Sequence, residues 1–234
     1  MVHSTLFSIL YSARWGSKAE KDAALVAAIA HLQSLSLHDA GSQLTYRDGS
    51  GYREGVLHLL GWNFSASEQA AAFLSLMIER IRESCGTTVL VSSTTNNGWT
   101  PLHSFAFHCE DLSLTKVVLR EHPPSLAVLD SYGFGTPLFY AEHFHSSTSE
   151  FAVFFRTTTT AYNTSNLVTL EALCGSSPYL SREIRRQTIA LRAAVAICLN
   201  RQEAAALRPE LRQGRRHALA ARAPSRLRPR RQQL

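Results

Sequence analysis

Two stretches of the chain open in the same way. Asn97-Gly98-Trp99-Thr100-Pro101-Leu102-His103 is followed thirty-six residues later by Gly135-Thr136-Pro137-Leu138-Phe139-Tyr140-Ala141. A Thr-Pro-Leu start returning with a period in the thirties marks repeated helical units. Each such unit is too small to bury its apolar face alone, so a stable fold needs several of them stacked. Aligned on the leucine, two further units begin at Leu6 (Ser4-Thr5-Leu6-Phe7) and Leu57 (Gly55-Val56-Leu57-His58). The leucine spacings are 51, 45 and 36, so the first two units need insertions in their connections.

Each unit reads as a short helix, a turn, a longer helix and a loop. In the first, Thr5 to Arg14 precedes a helix over Lys18 to Ser36, with Ala24, Leu25, Ala28, Ile29 and Leu32 at amphipathic spacing. A polar connection, His38 to Glu54, carries Asp48-Gly49-Ser50-Gly51 as a hairpin tip. The second unit pairs Val56 to Trp62 with a helix capped by Ser67 and stopped by Gly86, burying Phe73, Leu74, Met77, Ile78 and Ile81. The third pairs Thr100 to His108 with Leu112 to Glu121, and Pro123-Pro124 forbids continuation. In the fourth, Pro137 to Phe144 is helical, Phe151 to Phe155 fits a short helix or a strand, and Thr157 to Thr160 favours extended backbone or loop. Leu167 to Leu173 reads as a displaced second helix ending at Gly175, and Ser181 to Leu199 as a terminal helix that closes the stack.

Charge divides the chain sharply. Residues 205–234 hold nine Arg and one acid, Glu210, whereas residues 1–204 hold 15 basic and 17 acidic side chains. The high isoelectric point therefore belongs to a tail of Ala, Arg, Pro and Gln, which is expected to be disordered because it cannot bury enough apolar surface to offset ordering entropy. With 45% hydrophobic residues the remainder has the apolar content of a folded protein, and no apolar run reaches the roughly 20 residues a membrane span requires. No basic residue precedes the short apolar stretch Leu6 to Tyr11, so no secretory signal is expected. Cys85, Cys109, Cys174 and Cys198 form no C-x-x-C pair and fit four reduced thiols in an intracellular protein, cytoplasmic or nuclear.

Through Gly98, Thr100, Pro101, Leu102, His103 and Ala106, the third unit resembles the ankyrin repeat. The fourth resembles it through Thr136, Pro137, Leu138 and Ala141, and the second through Leu57 and His58. The chain departs from the family pattern at Phe139, where His is usual, at Val56, where Pro is usual, and in one extra residue between Asp130 and Thr136. The chemistry of the pattern is local. Gly98 suits a positive φ, the Thr100 hydroxyl can cap the helix, Pro101 sits where its missing N–H costs nothing, and the His103 imidazole can tie adjacent units together. The resemblance implies an all-α solenoid of about four irregular ankyrin-like helix-turn-helix repeats over residues 1–175, a C-terminal closing helix over 176–204 and a basic tail over 205–234. It further implies a non-catalytic scaffold that recognises another protein through its tips and inner helices. At or beside the tips stand Tyr52, Arg53, Asn96, Asn97, Trp99, Ser131, Tyr132 and Phe134, with aromatics favoured as anchors.

Other chemistries find less support in the residues. His103, His108, Cys109, His143 and His145 cluster along the chain, but His103 has a structural role and no zinc spacing is met, so no metal or cofactor is expected. No nucleophile motif, metalloprotease motif or phosphate-cradling glycine loop occurs, and no small-molecule substrate is indicated. Arg215-Arg216 with Arg226-Leu227-Arg228-Pro229-Arg230-Arg231 offers a nucleic-acid contact or nuclear-import signal, through the tail only. Leu57, Leu102, Leu138, Ala106, Val117 and Val118 are expected in the core.

Overall fold

Helix-start chemistry at four places sets the architecture. The structure, a computed structural model, describes residues 4–49, 52–109, 111–131, 133 and 135–175, with Ser181, Arg182 and Arg186. The chain divides into two units, Met1–Ile184 and Arg185–Leu234, and the stacked helices lie in the first. The expected closing helix and basic tail lie outside the described residues, apart from those three.

Helix α1 (Thr5–Ala13) begins where Ser4 Oγ accepts the Phe7 N–H at 3.1 Å. Helix α2 (Lys18–Ser34) opens on a capping box, in which the Glu20 carboxylate takes the Ser17 N–H at 2.7 Å. Helix α3 (Leu37–Leu44) is capped by Ser36. Helix α4 (Val56–Leu59) runs on into a π-helical turn, Leu60–Phe64. Then come α5 (Ala70–Ser84), the short α6 (Thr87–Val91) and α7 (Pro101–His108), with Pro101 in its first turn. Helix α8 (Leu112–Glu121) ends before Pro123 and a 3₁₀ turn, Pro123–Ala127. Helices α9 (Pro137–Phe144), α10 (Glu150–Asn163) and α11 (Leu167–Cys174) complete the unit. Every regular element among the described residues is a helix, and none is long and apolar enough to cross a membrane.

The short helices α1, α4, α7 and α9 pack one against the next in chain order. Behind them α2 packs on α5, and α5 on α8; α10 packs on α9, and α11 on both α10 and α8. The two insertions implied by the long leucine spacings are helices. Helix α3 packs on α5 and α1, and α6 on α5 and α8. The first insertion completes the start of the array. Gln43 Oε1 on α3 accepts the Leu6 N–H at 2.9 Å and so satisfies a donor that the first turn of α1 leaves open.

Four local expectations are corrected. The connection expected to be polar loop from His38 is helical up to Leu44, because Ala40, Gly41 and Leu44 bury one side of it. Ser67 does not cap α5: its hydroxyl donates to Asp22 Oδ1 and accepts from the Gln69 N–H at 3.2 Å, and the helix starts at Ala70. The stretch from Phe151 through Thr160 is one continuous helix. Phe151, Phe154, Phe155 and Thr158 make its buried face, and Thr157, Thr158 and Thr160 return their hydroxyls to carbonyls three or four residues back. Tertiary burial here overrides the extended preference of threonine. Val117 and Leu138 are half-buried, not core, while Leu57, Leu102, Ala106 and Val118 are buried as expected.

The short helices approach closely. A Cβ on Gly61 would lie 2.4 Å from the buried ring of Phe105, so α7 meets the π-helical turn where only glycine fits. Leu6, Leu57 and Leu102, one on each of three successive short helices, are buried. Leu102→Ala is expected to cost about 2–5 kcal/mol, the usual range for a buried leucine, and Leu138→Ala distinctly less. Urea melts of the two variants check this ranking, and equal losses would contradict it.

Candidate functional site

Each short helix carries a group at its third residue that decides what its N-cap does. In the two middle units that group is histidine. The Gly55 N–H donates to His58 Nδ1 at 3.4 Å, and the Thr100 N–H donates to His103 Nδ1 at 3.0 Å. With Nδ1 accepting, Nε2 carries the hydrogen, and it is donated forward: His58 Nε2 to Trp99 O at 3.0 Å, and His103 Nε2 to Gly135 O at 3.2 Å. Trp99 and Gly135 hold the same position, immediately before the N-cap of the following unit. The Thr100 hydroxyl, expected to cap the helix backbone, instead bonds His103 Nδ1 at 2.8 Å. Where phenylalanine replaces histidine, the N-cap hydroxyl turns to the backbone: Thr136 Oγ1 accepts the Phe139 N–H at 3.3 Å, as Ser4 does for Phe7.

The same carbonyls close the hairpin tips. Asp48 N–H donates to Glu54 O, Thr95 N–H to Trp99 O and Asp130 N–H to Gly135 O, all at 2.9–3.0 Å. Successive tips are joined in turn: Asn96 N–H donates to Tyr52 O at 2.9 Å, Ser131 N–H to Asn97 O at 2.8 Å, and the Ser131 hydroxyl to Asn96 O at 3.2 Å. Gly98, at φ +75°, lies so close to the next tip that a Cβ would meet Ser131 N at 2.7 Å. Tyr140 Oη donates to Asp130 Oδ2 at 2.6 Å and holds the third tip against α9.

Burial keeps both imidazoles neutral. It pulls His58 down to about 3, assisted by Arg47 and His103 and opposed by the bond to Trp99. It pulls His103 down to about 4, against the bond to Gly135 and the Asp130 carboxylate. His108 falls to about 4, through burial and then His145. Burial raises the Cys109 and Cys174 thiols to about 11 and about 12, so neither is a reactive thiolate. Among the described residues no three His, Cys, Asp or Glu side chains are grouped to hold a metal.

Between the tips and the short helices lies a cleft of about 410 Å³, lined by Tyr11, Arg14, Trp15, Tyr52, Glu54, Trp62, Asn63, Thr95, Asn97, Trp99 and Ser104. All three tryptophans of the chain are among them. Ring contacts carry the aromatic surface along the helices. Trp62 lies 5.5 Å from Trp99 and 5.6 Å from Phe107, Trp99 lies 4.6 Å from Tyr140, and Phe107 touches Phe144. At one end Trp15 is 76% exposed and Tyr52 63%; at the other Phe144 is 48% exposed and Phe139 44%. Rings open to solvent to this degree are not core.

Of the residues singled out from the sequence, Tyr52, Asn97 and Trp99 line the cleft. Arg53 is exposed at the first tip with φ +55°, and Asn96 and Ser131 are exposed tip residues whose backbone and hydroxyl groups join the tips; none of these three lines the cleft. Tyr132 and Phe134 lie outside the described residues. Sequence reading missed Tyr11, Arg14, Trp15, Glu54, Trp62, Asn63, Thr95 and Ser104. A signal existed: the fifth residue after each aligned leucine is Tyr11, Trp62, Phe107 and His143, a ring in every unit. The structural motif residues Leu57, His58, Thr100, Pro101, Leu102, His103, Ala106, Thr136, Pro137, Leu138 and Ala141 all fall in or at the start of the short helices.

No protein-family model matches the chain, and no curated protein or solved structure does either.

The neutral imidazoles give a signed pH dependence. A histidine held near 4 when folded and near 6.5 when unfolded contributes its stability in full above 6.5 and loses it as the pH falls from 6.5 towards 4, because the unfolded chain takes up the proton first. For His103 the loss by pH 4 is on the order of 3 kcal/mol. Urea melts at pH 7.5 and 5 should show a smaller pH effect in His103→Gln than in the parent protein; an identical pH effect would contradict the assignment.

Proposed function

We propose that residues 1–175 form an ankyrin-type repeat array that recognises another protein, without catalysis, through the cleft between its tips and short helices. The observation that carries the reading is the cleft itself: an aromatic surface shared by consecutive units, with Trp15 and Tyr52 open to solvent. Large rings in such a cleft suit binding hot spots, since they bury much area and lose little side-chain freedom. The forward histidine bonds and joined tips support the repeat reading, because they recur at equivalent positions in two successive junctions. The cleft offers rings, amides, hydroxyls, one guanidinium and one carboxylate, a set suited to holding a peptide segment.

Affinity capture with the full chain tests this. The double variant Trp15→Ser, Tyr52→Ser alters the two most exposed cleft rings; Val153→Ser, Val168→Ser alters exposed residues of α10 and α11 as a control. A protein retained by the parent and the control but lost by the cleft variant is the expected result. Equal retention by all three, or equal loss by both variants, would overturn the assignment of the site.

A further inference from the structure

Glu54 is out of keeping with the rest of the cleft. Its carbonyl closes the first tip, but among the described residues its carboxylate has no hydrogen bond and no cation within 4 Å. Burial raises its pKa, the Asp48 carboxylate raises it further, and Arg14 lowers it from a distance. The acid thus has no contact ion pair, its nearest counter-charge being Arg14 of the same cleft, whose wall Glu54 helps to form. The rings of Tyr11, Trp15, Tyr52, Trp62 and Trp99 line the same cleft, and the faces of such rings carry negative quadrupoles that attract cations. A guanidinium already uses this surface: that of Arg14 sits 3.4 Å from the Tyr11 ring centroid and 5.3 Å from that of Trp15. Arg14 is thus engaged with the rings of Tyr11 and Trp15, which leaves the ring pair Trp62 and Trp99, in the cleft that Glu54 also lines, for a second cation.

From this we infer that the cleft takes an arginine side chain from an extended segment of the partner protein, its guanidinium stacking on the Trp62 and Trp99 rings and pairing with the Glu54 carboxylate. Planarity favours guanidinium over ammonium, because one flat group can stack on indole and offer paired N–H donors to a carboxylate. An acidic or phosphorylated segment would meet Glu54 with Asp48 behind it and be repelled. The inference rests on the reading of the cleft as a docking surface and adds the chemistry of the group received.

Because the three tryptophans all line the cleft, their indole N–H resonances report on it directly. The full chain is titrated with acetyl-Gly-Ser-Arg-Ser-Gly-amide and with the same peptide carrying citrulline, which keeps the shape of arginine and removes its charge. Saturable shifts with the arginine peptide, at least roughly tenfold weaker with citrulline and weakened about as much by Glu54→Gln, are expected for loss of a charge-assisted pair. A thermal melt of Glu54→Gln matching the parent shows that the variant is folded. Equal response to both peptides, full affinity in Glu54→Gln, or no shift with arginine would overturn the inference. If the ring variants abolish capture of a partner while arginine shows no preference, the docking reading stands and the arginine assignment falls. If arginine binds selectively while capture ignores the ring variants, the docking reading falls instead.

Discussion

A neutral imidazole bonded at both nitrogens is the interaction on which the remainder is built. His58 and His103 each close the first turn of their own helix through Nδ1 and reach the following unit through Nε2. The carbonyl that receives the bond also closes a tip, so one oxygen uses both lone pairs to fix helix, tip and neighbour together. Only histidine supplies an acceptor and a donor on opposite sides of a ring that can be buried uncharged. Placement of the cleft wall at Trp99 depends on it directly, and the first tip, with Tyr52 and Glu54, is tied to that wall through the bond from Asn96 N–H to Tyr52 O.

Irregularity in the array is confined to places where it can be absorbed. Helix α3 uses Gln43 to satisfy the start of α1, and α6 fills space between α5 and α8. The π-helical turn at Leu60–Phe64 carries Trp62 into the cleft beside Trp99, while Gly61 in the same turn lets Phe105 approach. Turns of this kind, which widen a helix locally, are often found at functional positions. The second unit thus gives up regular helix at the point where it contributes most to the cleft.

How much was legible in the sequence depends on the range of each signal. Pro101, Pro137, Gly86 and Gly175 act through their own backbone angles, and the helix ends they mark lie where expected. The amphipathic faces of α2, α5 and α8 were legible for the same reason, since periodicity is local. Helix α10 was not, because its threonines prefer extended backbone when alone and are helical only with Phe151, Phe154 and Phe155 buried on their other side. The tip residues Tyr52, Asn97 and Trp99 could be chosen from turn chemistry, whereas Glu54 and Trp62 join the cleft only through stacking of units. Aligning five residues past each leucine finds Tyr11 and Trp62, though neither Trp15 nor Glu54.

The forward bonds also give the array a direction. Each histidine serves the unit after it and asks nothing of the unit before. Phe139 occupies the corresponding place on α9 and has no donor to pass on, so the relay of hydrogen bonds that begins at His58 terminates chemically at Gly135. Losing a unit from the leading side would leave a carbonyl still held by its own tip. Losing one from the trailing side would free an imidazole N–H, while the tip bonds run the opposite way, with the N–H groups of Asn96 and Ser131 given to the tip before. The two ends of the array are therefore unequal in what they would leave unpaired: a side-chain donor of the imidazole on one side, backbone donors of the tips on the other.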